Sequence, residues 1–74
     1  MTNPLFFEAV LKDKGGDHYK GYAIEPAEFI VKNKLDFPTG NAIKYLLRHS
    51  RKGKKKDLEK AKHYIDMIIA RDYK

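Results

Sequence analysis

Cysteine is absent from this chain, which excludes a disulfide framework and a thiolate metal site and is compatible with a reducing compartment. Long hydrophobic runs are also missing. No apolar stretch approaches the roughly 20 residues that span a bilayer, and the N-terminal MTNPLFFEAV lacks the basic segment that opens a signal peptide. A soluble, cytoplasmic protein without a membrane partner is therefore expected. Length is the third shortage: 74 residues make one domain, and so small a chain buries only about 60% of its unfolded surface. Marginal stability of that kind, with apolar residues on more than one helix side (Phe6, Phe7, Met67 and Ile69), leads us to expect a homo-oligomer.

Several chemistries lack their residues. There is no GxxxxGK[ST] loop, because RKGKKK has neither the upstream glycine nor the trailing hydroxyl, and there is no Rossmann glycine fingerprint. His18, His49 and His63 have neither HExxH spacing nor cysteine partners, so no metal site is expected. Ser50 has no neighbouring base, which argues against nucleophilic catalysis. Glu25 and Glu28 are the nearest approach to paired carboxylates, and three residues apart on a surface they read as solvated charges.

Positive charge, by contrast, is abundant and concentrated. The formal net charge is +6, and Arg48, Arg51, Lys52, Lys54, Lys55 and Lys56 together equal that excess; the remaining ten basic residues match the ten acidic ones. Such a patch attracts phosphates on nucleotides or nucleic acid, and it can equally be a solvated turn that keeps the protein soluble.

The stretch FPTGNAIKYLLRHSRKGKKKDLEKAK, from Phe37 to Lys62, carries most of the functional signal. At about 100° per residue Asn41, Lys44 and Arg48 fall within an arc of roughly 60°, while Ile43, Leu46 and Leu47 form an apolar stripe on the other side. One helix can thus face a core and also offer an amide, an amine and a guanidinium. Asp36 is a plausible N-cap, Pro38 fits the first turn, and Gly40 suggests a close backbone approach. The helix is expected to run to about Lys52, with Gly53 just past its end. A final helix is expected over about Lys55 to Arg71, with Leu58, Ala61, Ile65 and Ile68 on its inner side, widened by Tyr64 and Ile69.

Upstream, Asn3 and Pro4 open an expected short helix to Lys12, with a strand as the alternative, and Gly15-Gly16 ends it. DHYKGYAIEP reads as an ordered loop. Pro26 opens a further helix to about Asn33, with Ala27, Ile30 and Val31 inward. The fold class is all-α: a small three- to four-helix bundle with an N-terminal extension, residues 1–16 forming the extension and 17–74 the helical domain.

His18, Tyr19, Glu25, Asn41, Lys44, Arg48, Asp57 and Lys60 could converge as a ligand-binding constellation. Lys and Arg suit phosphate, Asn an amide or hydroxyl edge, and His or Tyr a base or sugar. The same residues read equally as struts, Arg48 pairing with Asp57 and Lys44 with Glu25. Arg51, Lys52, Lys54, Lys55 and Lys56 are the candidate nucleic-acid-binding residues.

At these positions the chain resembles the SaV-like family of small phage-encoded proteins. The likeness rests on His18-Tyr19, Ile24-Glu25, Phe37, GNAIKY from Gly40 to Tyr45, Arg48, Lys52-Gly53, Asp57-Leu58, Lys60-Ala61 and Tyr64, spanning about Asp17 to Ile69 and leaving Met1 to Gly16 outside. That family is described mainly as a domain of unknown function, with some members labelled nucleotide kinase. The resemblance implies a phage or prophage origin, a compact helical domain and action in the host cytoplasm. Phosphoryl transfer needs a donor site, an acceptor site and usually Mg²⁺, and one short subunit has little room for all three, so kinase activity would call for a site shared between protomers. Mg²⁺ enters only with that activity; no other cofactor is indicated. Binding of a nucleotide or other phosphate ligand is the first expectation, and a nucleic-acid-binding accessory protein or an inhibitor of a host protein is the alternative.

Overall fold

The computed structural model describes residues 21–73, and the chain divides into two compact units, Met1–Lys34 and Leu35–Lys74. The described residues hold three helices and no strand, in keeping with the all-α class. The expected helix from Pro4 to Lys12 and the boundary near Gly16 lie outside the described residues.

In the first unit α1 spans Pro26–Lys32. Its start follows from Pro26, whose fixed φ suits the first helical position and whose missing N–H would have had no partner there. Its end follows from Asn33, whose side-chain amide donates to the Phe29 carbonyl at 2.9 Å, and from Lys34, which takes a left-handed φ of 55°. Pro26 is buried and Ala27 and Ile30 are half-buried; Val31, expected inward, is 42% exposed.

In the second unit α2 spans Phe37–Arg48 and α3 spans Lys55–Asp72. Asp36 caps α2: its Oδ1 accepts from the Thr39 N–H at 3.0 Å and its carbonyl from the Gly40 N–H at 2.9 Å. Pro38 sits in the first turn as expected. The helices pack antiparallel, as shown by ion pairs that join opposite ends: Asp36, before α2, meets Arg71 near the end of α3 at 2.6 Å, and Arg48, ending α2, meets Asp57 in the first turn of α3 at 2.9 Å. Arg71 also pairs with Asp72 at 2.7 Å.

Two sequence expectations for this hairpin need correction. First, α2 stops at Arg48, four residues short of Lys52, because the next donors turn back on its end: the N–H groups of Arg51 and Lys52 both donate to the Arg48 carbonyl, and that of Lys54 donates to the His49 carbonyl. Residues 49–54 are a hydrogen-bonded turn. Second, the inner side of α3 is rotated from the expected one. Asp57 and Ala61 are buried and Tyr64 and Ile68 half-buried, whereas Leu58 and Ile65 are each 40% exposed. On α2, Leu46 likewise faces outward at 47% exposure, while Ile43 and Leu47 are half-buried. The buried positions of the hairpin are small ones, Pro38, Gly40, Ala42 and Ala61, with Asp57 as the largest fully buried side chain. So thin an apolar core leaves a large share of the hairpin's cohesion to its ion pairs and aromatic contacts.

Candidate functional site

The 49–54 turn and the helix ends that flank it carry the charge concentration, and the shape of the turn follows from one carboxylate. Asp57 is the third residue of α3, where a negative charge meets the exposed N–H groups and the positive end of the helix dipole. Only 1% exposed, it makes three hydrogen bonds: Oδ2 accepts from Arg48 Nε at 2.9 Å and from the Gly53 N–H at 2.9 Å, and Oδ1 accepts from Arg48 Nη2 at 3.1 Å. The two-pronged guanidinium contact is the strong, geometrically defined form of the pair. Arg48, ahead of the Gly53 N–H, holds the Asp57 carboxyl below the usual carboxylate range, and burial opposes that shift. Gly53 has no positive φ, so it is not required for backbone freedom as a helix-terminating glycine would be. Its reason is space: a Cβ there would collide with the Asp57 carboxylate. The positive angle falls instead on Lys54, with φ 52° and ψ −129°, whose Nζ donates to the Ser50 carbonyl at 2.6 Å.

The bonds of Asp57 to Arg48 and Gly53 thus close the turn, and the Lys54 ammonium bonds back onto it. Arg51, Lys52, Lys54, Lys55 and Lys56, the nucleic-acid-binding candidates, are all exposed. Beside them an aromatic cluster runs down the α2–α3 seam. The Tyr45 and Tyr64 rings stack 5.9 Å apart at an interplanar angle of 8°, and Phe37 meets Tyr64 edge-on at 5.7 Å. Arg48 Cζ lies 4.7 Å and Lys60 Nζ 5.2 Å from the centre of the Tyr45 ring, so both cations rest on its π-face.

Against this geometry the ligand-binding candidates separate. Arg48, Asp57 and Lys60 gather at the turn end of the hairpin, and Arg48 pairs with Asp57 as the strut reading has it. Asn41 lies on α2, where its side-chain amide donates to the Phe37 carbonyl at 3.0 Å; Lys44 is half-buried on the same helix. Glu25 precedes α1 in the first unit, and its Oε2 is buried with no hydrogen-bond partner among the described residues. Glu25 and Lys44 thus belong to different units, each described by itself. His18 and Tyr19 lie outside the described residues. Phe37, Tyr45 and Tyr64 were not expected to form one cluster; the signal was the spacing of about two helical turns between Phe37 and Tyr45 on α2, with Tyr64 of α3 joining them only once the helices are paired. At the far end, Asp36 is held down to about 2, first by its hydrogen bonds from Thr39 and then by Arg71, while Arg71 is raised by Asp72 and Asp36.

Elsewhere, Glu59, Lys62, His63 and Asp66 line a hollow of about 230 Å³ along α3, mixed in sign and unsuited to selecting an anion. Among the described residues no three His, Asp or Glu side chains are placed to hold a metal ion, and no helix is long and apolar enough to cross a membrane.

Comparison with curated proteins and with solved structures finds no match. A family model does match, over residues 13–66, so the shared region begins before the Asp17 expected from the motif likeness and takes in the end of the N-terminal stretch. The chain belongs to that family, which is described as a protein of unknown function, DUF3310.

Proposed function

We propose that this protein binds nucleic acid through the phosphate backbone, with the turn from Arg51 to Lys56 as its contact surface. The observation that supports this reading is the fate of Arg48. The Arg48 guanidinium is bound in two-pronged fashion to a buried carboxylate, and that same bond holds a turn that, with the first turn of α3, carries the exposed residues Arg51, Lys52, Lys54, Lys55 and Lys56. Cations spread along an exposed turn suit a repeated phosphate chain, which gains affinity from released counterions rather than from an enclosing pocket. Changing Lys52, Lys54, Lys55 and Lys56 together to Gln should weaken binding of a labelled oligonucleotide and flatten the dependence of log K on log salt by up to about 0.9 per lost contact on duplex and about 0.7 on a single strand. Unchanged affinity in that variant would overturn the assignment.

The second reading is a mononucleotide site, with nucleotide kinase activity and a phage origin as the SaV-like likeness implies. Its support is the meeting of Arg48 and Lys60 on the Tyr45 ring, which collects cations and an aromatic at one place. A homo-oligomer, which that activity would need, is supported by Leu58, Ile65 and Ile69, exposed at 40%, 40% and 50% along one side of α3. Thermal shift with nucleoside mono- and triphosphates tests the second reading: stabilisation that rises with ligand concentration supports it.

A further inference from the structure

Lys56, Lys60 and Tyr64 occupy successive turns of one face of α3, four residues and therefore about 6 Å apart along the axis. Lys56 lies in the first turn of α3, next to the basic turn. Lys60 lies over the Tyr45 ring, Tyr45 stacks on Tyr64, and Tyr64 meets Phe37 in a T-shaped contact. The strip thus begins in charge and ends in aromatic surface. Its last member is open: Phe37 is 67% exposed although it is the first residue of α2, beside Asp36 and its ion pair with Arg71. The Tyr64 contact leaves most of the Phe37 ring open, whereas the Tyr45 ring is already covered by its neighbours.

From this we infer that the protein prefers single-stranded nucleic acid, its backbone running from the basic turn along Lys56 and Lys60 and a base stacking on Phe37. The inference rests on the phosphate-binding reading above and deepens it. A duplex keeps its bases stacked on one another and can use only the charges, whereas an open strand offers a π-face to an aromatic ring together with its phosphates. Base stacking of this kind tolerates any sequence, so little base preference is expected.

The chain has no tryptophan, which allows a direct test. Phe37→Trp places a single tryptophan, excited apart from the tyrosines at wavelengths beyond their absorption, at the stacking position. Titration with an oligothymidylate of about 20 nucleotides, longer than the roughly 4–16 nucleotides of known single-strand sites, should quench it, an equal length of duplex should not, and the single strand should bind more tightly at the same salt. Phe37→Ala should weaken single-strand binding at least about 5-fold and leave duplex binding near that of the wild type, with Phe37→Leu, which keeps apolar contact with Tyr64 but offers no π-face, showing the same selective loss. Equal or tighter duplex binding, or a tryptophan that stays bright in the complex, overturns the strand preference while leaving phosphate binding intact. Absence of binding to either polymer overturns both.

Discussion

Gly53→Ala is the substitution on which the description of the turn stands or falls. In a loop with an ordinary negative φ, replacing Gly by Ala usually stabilises a protein by about 0.4–1 kcal/mol, because the unfolded chain loses freedom. Gly53 has no positive φ, so that gain would be the default expectation. Geometry reverses the sign. The new methyl group would occupy the place of the Asp57 carboxylate, and backbone there cannot give way without loosening the Gly53 N–H bond at 2.9 Å and the two Arg48 bonds at 2.9 and 3.1 Å. Overpacking of a well-filled site costs typically about 1–3 kcal/mol, and for a domain of this size each kcal/mol moves the midpoint by about 4–8 °C, so a fall on the order of 5–20 °C is expected. Thermal melts followed by circular dichroism would read it. A double-mutant cycle isolates the cause: in an Asp57→Ala background the methyl group meets no carboxylate, so Gly53→Ala should there be neutral or slightly stabilising. A Gly53→Ala protein as stable as the wild type, or an equal loss in both backgrounds, would refute the steric lock.

Arg48→Gln should lower the melting temperature in the absence of any ligand, because it leaves Asp57 buried beside a single backbone N–H, and Arg48→Lys should restore little, since an amine cannot supply the two-pronged contact. Stability should also fall with acid. Asp36 and Asp57 both have folded pKa values below their unfolded value of 3.8, so their contribution is complete above that value and is lost as pH falls towards the folded value of about 2 for Asp36. Asp36→Asn should therefore flatten the acid limb of a stability–pH curve between about pH 4 and 2 and leave its neutral limb parallel to the wild type. Light scattering at micromolar concentration should give a mass above that of one chain, and a Leu58→Lys/Ile65→Lys variant should lower it if α3 is the contact.

Where chain chemistry is local, the sequence was legible. Asp36 before Phe37-Pro38 announced a capped helix start, and the start of α3 at Lys55 followed from the apolar spacing beyond it. The Arg48–Asp57 pair was also legible, as one of two readings, because a short basic turn between two helices has to bring their ends together. The inner face of α3 was misread for a physical reason. Counting apolar residues favours Leu58 and Ile65, but the innermost positions hold an aspartate and an alanine, and a buried carboxylate satisfied by arginine leaves no hydrophobic trace. Gly53 shows the same limit. A glycine after a helix suggests backbone freedom, and only the position of a side chain four residues on shows that the missing methyl group matters. The Phe37–Tyr64–Tyr45 cluster needed the helix pairing before its members could be seen as one surface.

The most direct measurement of phosphate-backbone binding is the anisotropy of a labelled single-stranded oligonucleotide titrated with the wild-type protein from about 50 to 200 mM salt. Four or five lysine and arginine contacts should give a linear fall of log K against log salt with a slope of roughly −3. No binding at the lowest salt, or binding indifferent to salt, would contradict it.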